Sequence, residues 1–324
     1  MSDRPRLALG TRPEELTDDV AWLTTVMVNV FLVGERGAGD REWVLVDAGL
    51  VGGASRIRRA ARERFGPNSR PAAIILTHAH FDHIGSVREL AEEWDVPVYA
   101  HTLELPYVTG RSSYPPPDPT VGGGLVARMS WLYPTGPIDL GERMRPLPDD
   151  GTVPGMPGWR WVFTPGHSPG HVSLFREHDR LLIAGDAFVT QKQESLVGAL
   201  TMRPELRGPP KYFTCDWDAA EASVRKLAAL KPLIAATGHG IPMAGPHFER
   251  ELESLAAHFR EIDVPRRGRY VRSPAIADEN GVEYVPPPVP DPWPKVAAGV
   301  AIGAAVVFLL FRRGWSRRST HFAS

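Results

Sequence analysis

Apolar and β-branched residues cluster in short runs between residues 20 and 50, where two stretches, 26–33 and 43–46, read as strands around a turn-like 34–40. The second stretch ends in Asp47-Ala48-Gly49. Residues 54–65 have helical character, 72–76 form a short buried strand that runs into Thr77, 86–94 read as a helix and 96–100 as another strand. Residues 106–124 (PYVTGRSSYPPPDPTVGGG) hold too much proline and glycine for regular structure, and 138–162 are turn-rich with short strands. Strands are expected at 172–175 and 181–184, the second ending at Gly185-Asp186. Asp216 is placed to cap a helix over 219–230. A strand at 233–236 then leads into Thr237-Gly238-His239-Gly240, and 247–262 read as a helix. The halves echo each other: strand–Asp47 and strand–Thr77–His78 in the first, strand–Gly185–Asp186 and strand–Thr237–Gly238–His239 in the second. The pattern predicts an α/β (α+β) fold in which two similar β-rich layers are covered by helices on both outer faces.

The ends of the chain differ from this body. Residues 1–19 are polar with no apolar h-region, so no secretory signal is read there. The main folded domain is expected over 20–270, and 271–295 form a linker whose PPPVPDPWP stretch behaves as a stiff extended spacer. Residues 296–311 (VAAGVAIGAAVVFLLF) are apolar and uncharged, and the tail 312–324 brings Arg312, Arg313, Arg317 and Arg318. Sixteen helical residues span about 24 Å, a little short of a ~30 Å hydrocarbon core. Snorkelling by Lys295 and Arg312, with Trp293 and Trp315 at the interfaces, would close the gap. A C-terminal transmembrane helix is therefore expected over 296–311. Its Gly299/Gly303 pair would permit a helix-mediated dimer. With the arginines inside and no export signal, the expected location is membrane-anchored with the domain 20–270 in the cytoplasm.

Charge and cysteine usage narrow the chemistry. The formal net charge is −1, so no basic field draws this chain to nucleic acid. One cysteine, Cys215, excludes a disulfide framework within the chain and a cysteine-based metal site. Any metal must be held by histidine and carboxylate.

The strongest local signal is Thr77-His78-Ala79-His80-Phe81-Asp82-His83-Ile84-Gly85. His78 and His80 stand two apart at the end of an apolar strand, and the period-2 alternation of a strand puts them on one side. Asp82 and His83 follow in the turn that opens a helix. Four ligand-type side chains in six residues are hard to explain by packing, because His and Asp are seldom buried at such density without a partner. Three more positions join them. His167 lies between two Pro-Gly turns in TPGHSPGH, Asp186 ends the apolar strand LLIAGDA, and His239 is flanked by Gly238 and Gly240, which allow close backbone approach to a crowded centre.

This ordered set, HxHxDH, a later His, an Asp after a strand and a final Gly-His-Gly, resembles the metallo-β-lactamase superfamily over residues 20–262. The resemblance implies a four-layered αβ/βα sandwich with a metal site at one edge. It implies His78, His80 and His167 on one metal, Asp82, His83 and His239 on a second, and Asp186 as the bridge. Asp47 matches the family's first Asp motif, which positions the HxHxDH loop from behind the ligands. His171, in the PGHxxGH turn, is read in the same supporting role. The all-His/Asp set suits two zinc ions per chain, with iron or manganese as alternatives. Two such ions would share and acidify a water, and Asp82 would orient it and take its proton. The expected function is hydrolysis of a carbonyl ester-type bond in a small molecule, a thioester or lactone, as in the glyoxalase II and lactonase-like branch. No basic cluster for glutathione carboxylates is evident. The alternatives are a mononuclear-iron, persulfide dioxygenase-like oxidoreductase and a membrane-tethered, non-enzymatic metal-binding protein. Tyr107, Tyr114, Trp131 and Tyr133 in 106–135 suggest a lid over an apolar pocket. His101 reads as a satisfied surface histidine and Cys215 as a packing residue.

Overall fold

The computed structural model describes residues 12–195, 198 and 204–290. The chain divides into two units, Met1–Pro287 and Pro288–Ser324, and among the described residues the helices and strands lie in the first. One sheet has seven strands in sequential order: β1 (Glu14–Thr17), β2 (Val20–Thr25), β3 (Val28–Val33), β4 (Val44–Val46), β5 (Ala73–Ile75), β6 (Val98–Ala100) and β7 (Met144–Pro146). The other has five: β8 (Trp159–Phe163), β9 (Val172–Arg176), β10 (Leu181–Gly185), β11 (Ile234–Thr237) and β12 (Met243–Ala244), with β8 and β12 at its edges.

Alternation along the strands sorts the core into three layers of contact. In β2 to β5, Ala21, Leu23, Val30, Leu32, Leu45 and Ile74 point to one face and pack with helices Ala54–Phe65 and Val87–Trp94. The intervening Val20, Trp22, Phe31, Val33, Val44, Val46 and Ile75 point the other way, onto Val172, Leu174, Leu181 and Ile183 of the second sheet. Leu182 and Ala184 of β10 then face helices Trp217–Ala229 and Gly245–Ile262 through Val224, Leu227, Phe248 and Leu252. The result is helix, sheet, sheet, helix. Both sheets are covered on both faces, so their strands read as apolar runs rather than as half-polar ones. Each fully buried Leu or Ile side chain contributes about 1.5–3 kcal/mol.

Strand direction places the site. β4 and β5 are parallel, as are β10 and β11, while β8 runs antiparallel to β9, which is antiparallel to β10. Asp47, the 77–83 segment, His167, Asp186 and His239 therefore all follow the carboxyl ends of strands, at one edge of the sandwich. The helix Trp217–Ala229 begins where expected, with the Asp216 side chain accepting from the amides of Asp218 and Ala219.

Three stretches differ from the sequence expectation. The run 26–33 is not one strand: the chain reverses at Val26, which sits at φ +69°, so that β2 and β3 form a hairpin. A β-branched residue is unfavourable there, and periodicity alone gives no sign of the turn. The 106–124 stretch is largely irregular, but it contains a helical turn, Leu105–Val108, which tolerates Pro106 because its proline stands in the first turn. It is fastened by amide bonds from Gly110 to Ile138, Tyr114 to Thr135 and Asp118 to Tyr212, at 2.9, 2.9 and 2.7 Å. Within 271–295, a hairpin of β13 (Ile276–Asp278) and β14 (Gly281–Tyr284) returns to the domain, where the Val282 amide donates to Ser112 Oγ. Among the described residues no helix is long and apolar enough to cross a membrane. The apolar run 296–311, expected as a C-terminal transmembrane helix, lies outside the described residues.

Candidate metal centre

The seven expected residues converge. Three groups bring one ligand atom per residue to within 4.8 Å of one another: His78, His80 and His167; His78, His83 and Asp186; and Asp82, His83 and His239. His80 Nδ1 lies 2.9 Å from His167 Nε2. Asp186 Oδ2 reaches across the groups, 3.5 Å from His167 Nε2, 3.1 Å from His239 Nε2 and 3.7 Å from His83 Nε2. Asp82 Oδ2 is 3.4 Å from His239 Nε2. His78 Nε2, His83 Nε2 and Asp186 Oδ1 are buried with no hydrogen-bond partner. Such orphaned atoms cost about 1–3 kcal/mol each unless something else satisfies them. Imidazole and carboxylate atoms turned inward on one another, at this density, fit divalent cations.

The hydrogen bonds behind these residues fix which ring nitrogen faces inward. Asp47, fully buried and at φ +59°, accepts from the Thr77 amide and hydroxyl, both at 2.8 Å, and meets His83 Nδ1 at 2.8 Å. His83 Nε2 is thereby the atom presented to the centre. His239 Nδ1 donates to the Met27 carbonyl at 2.8 Å, which the β2–β3 hairpin holds in place, so its Nε2 also faces inward. His171 is not among the converging ligand atoms. Its Nε2 accepts from the Asp186 amide at 2.9 Å and its Nδ1 meets Thr164 Oγ1, so it positions Asp186. Gly238 is required by crowding: a Cβ there would stand 2.1 Å from Asp186 Oδ1 and 2.7 Å from His83 Cε1.

The electrostatics are lopsided. Burial, helped by neighbouring imidazoles, drives His78 and His167 well below the ordinary histidine range and His80 down to about 3. Burial also works against the imidazolium at His83, but Asp47 and Asp186 outweigh it and hold its pKa well above the usual value. At His239 burial is again opposed, by Asp186 and Asp82, and the pKa is raised to about 10. The three-His group is thus neutral, while the other group takes up protons when nothing else neutralises its carboxylates.

Two buried residues that sequence reasoning passed over complete the frame. Glu104 is fully buried. Its Oε2 accepts from the Ala79 amide at 2.9 Å and from the Tyr114 hydroxyl, and its Oε1 accepts from Ser168 Oγ at 2.8 Å and the Gly170 amide at 2.7 Å. One carboxylate therefore ties the His78–His80 loop to the His167 turn. Burial pushes its pKa up to about 7 against these hydrogen bonds. Asn29 does the same between the sheets. Its amide donates to the carbonyls of Thr237 and Gly240 at 2.8 and 2.6 Å, and its own backbone N–H donates to Gly238 at 2.7 Å. A lone Asn inside an apolar strand, and a Glu three residues after His101, were the available signals.

Aromatic rings line the centre on one side. Phe213 stacks on His80 with centroids 4.4 Å apart, Tyr114 lies 4.5 Å from the same ring, and Tyr133 lies 5.4 Å from Phe81 and 6.0 Å from Phe213. His101 is elsewhere, stacked on Phe163 at 4.5 Å. Cys215 is buried, its thiol pKa raised by that burial, and it packs in the core beneath the second sheet.

Residues 23–239 match the family described as the metallo-beta-lactamase superfamily. The chain belongs to that superfamily and is a metallo-hydrolase with a His/Asp metal-binding cluster. It is 46% identical over 248 residues to the probable metallo-hydrolase YflN of Bacillus subtilis (strain 168), covering 76% of this chain and 94% of that protein. The probable metallo-hydrolase YybB of the same organism is 32% identical over 202 residues, 62% of this chain and 77% of the relative. Among solved structures, a B3 metallo-beta-lactamase with an active-site glutamic acid superposes with a TM-score of 0.54 at 22% identity, over 80% of this chain and 97% of that one. At that identity it speaks for the fold alone.

Proposed function

We propose that this protein hydrolyses a carbonyl ester-type bond, a thioester or lactone, with two zinc ions. His78, His80 and His167 would hold one, Asp82, His83 and His239 would hold the other, and Asp186 reaches toward both groups. The observation that carries this reading is the position of Asp186 Oδ2, within 3.7 Å of ligand nitrogens from both groups. Divalent cations bound there would lower the pKa of a bound water from ~15.7 toward ~7 and polarise a carbonyl.

The protein's own residues supply the rest. Asp82 has the most exposed side chain of the paired acids here, 17% against 2% for Asp186. It orients the attacking water and accepts its proton. Phe213, Phe81 and Tyr133 form the wall along which the acyl part of a substrate lies, and by excluding water they strengthen the electrostatics of the site. Glu104 and Asn29 keep the two halves of the site in register.

The chain is also proposed to be tethered to a membrane through 296–311, with the catalytic domain in the cytoplasm. The apolar, uncharged character of that run and the arginines after it support the tether.

Metal analysis of the purified protein, coupled to a panel of thioesters, lactones and β-lactams, tests the main reading. Two zinc ions per chain with thioester or lactone turnover is the expected result. One iron with sulfur-dependent oxygen uptake would replace it with an oxidoreductase. Two bound metals without turnover of any ester would make this a binding protein.

A further inference from the structure

The segment 125–132 is unusual on this surface. Leu125, Met129, Trp131 and Leu132 are 52, 43, 67 and 53% exposed. Between and beneath them Val126 and Ala127 are buried in a cluster with Tyr212 and Phe213, against which Phe81, Val121 and Tyr133 pack. The exposed apolar residues therefore sit on the outside of the aromatic wall whose inner ring, Phe213, stacks on His80. Phe81 and Tyr133 of that wall and the neighbouring Asp82 are only partly buried, so the site opens on this side.

A basic segment runs beside them. Residues 266–272 read RRGRYVR, with Arg266, Arg267 and Arg272 at the surface. This segment is fastened to the same excursion of the chain. The Arg269 amide donates to the Asp118 carboxylate, the Tyr270 hydroxyl donates to the Pro116 carbonyl at 2.6 Å, and a Cβ on Gly268 would stand 3.3 Å from Val121. The chain then enters the hairpin that bonds to Ser112, and β14 ends at Tyr284.

We propose that the face formed by 125–132 and 266–272 docks on an anionic lipid bilayer, with the mouth of the metal site turned toward the membrane surface. Trp, Leu and Met side chains flanked by arginines match the acyl boundary and the phosphate layer of such a surface. Apolar residues grouped this way are otherwise a liability for a protein in water. The proposal rests on the tether proposed above, because a chain held at the membrane by its tail meets that surface at high effective concentration.

The test uses the full-length protein with Leu132→Cys, labelled with an environment-sensitive fluorophore. The native Cys215 is buried and leaves the new thiol as the reactive one. Glu177→Cys, exposed in the β9–β10 turn at the opposite end of the sheet, is the control. On vesicles of phosphatidylcholine with phosphatidylglycerol, the label at 132 should shift to the blue and be quenched by spin-labelled acyl chains, while the label at 177 is not. Arg266→Glu with Arg272→Glu should reduce that quenching several-fold. A label at 132 that stays in water on protein-loaded vesicles overturns the docking and leaves the tether standing. A label already shielded before vesicles are added overturns it too, since the protein itself would then cover the patch. Full-length protein that stays off the vesicles overturns both.

Discussion

Replacing Glu104 by Gln probes how the three-His half of the site is held. The carboxylate accepts from the Ala79 and Gly170 amides and from Tyr114 and Ser168. The hydroxyls can turn round to meet an amide group, but the two backbone N–H groups cannot. Gln can present its oxygen to one of them and must present NH2 to the other, which leaves a poorly satisfied buried donor at a cost of about 1–3 kcal/mol. Against this stands the buried charge. The pKa of Glu104 is raised from the ordinary 4.5 to about 7 by burial. A raised carboxyl pKa means that the folded state holds the proton more tightly than the unfolded state. Its contribution to stability is therefore fully present below about pH 4.5 and is lost as pH rises through about 7, by about 3 kcal/mol at ~1.36 kcal/mol per unit. Gln carries no such dependence. The variant should be less stable than the wild type by about 1–3 kcal/mol near pH 5 and should close that gap, or reverse it, by pH 8. Urea unfolding of both proteins at the two pH values, with a chelator present so that metal binding does not enter, measures the difference. Contributions from other titrating groups cancel in it. A gap that is the same at both pH values would refute the assignment of a group titrating at Glu104. Zinc affinity gives a second readout: loosening the mount of His78, His80 and His167 should weaken binding there by about 10–100-fold.

Gly238→Ala should push Asp186 and His83 apart, because its Cβ would overlap both, and metal affinity should fall by about 10–100-fold or more; two tightly held metals in this variant would contradict the geometry. Asn29→Leu leaves the Thr237 and Gly240 carbonyls buried and unpaired, at about 1–3 kcal/mol each; equilibrium unfolding within about 0.5 kcal/mol of wild type would show that the Asn29 bonds contribute nothing net. With His83 and His239 raised and His78, His80 and His167 lowered, zinc entering the Asp82/His83/His239 group at pH 7 should displace protons and bind more weakly as pH falls, whereas the three-His group should load with little proton release. Calorimetric titration in two buffers of different ionisation enthalpy counts those protons, and identical heats in both would refute the split.

The sequence alone determined which histidines and aspartates gather at the centre and the order of the elements that carry them. His78, His80, Asp82 and His83 are close in sequence, and a strand end followed by a helix leaves them little choice but to face one place. Apolar runs ending in Asp47, Asp186 and Gly238-His239 were legible because strands covered on both faces leave continuous apolar signals. What the tertiary structure decided was everything that depends on residues far apart along the chain. Glu104 is an ordinary surface residue type until burial places it between Ala79 and Gly170, and Asn29 gains meaning only from two carbonyls more than two hundred positions away. The reversal at Val26 escaped the pattern because a β-branched residue at positive φ contradicts local preference; the six-rung pairing of β2 with β3 overrides it. Propensity and periodicity report on neighbours within a few residues, whereas the supports of a metal site are chosen by which side chains the packed sheets bring to one edge.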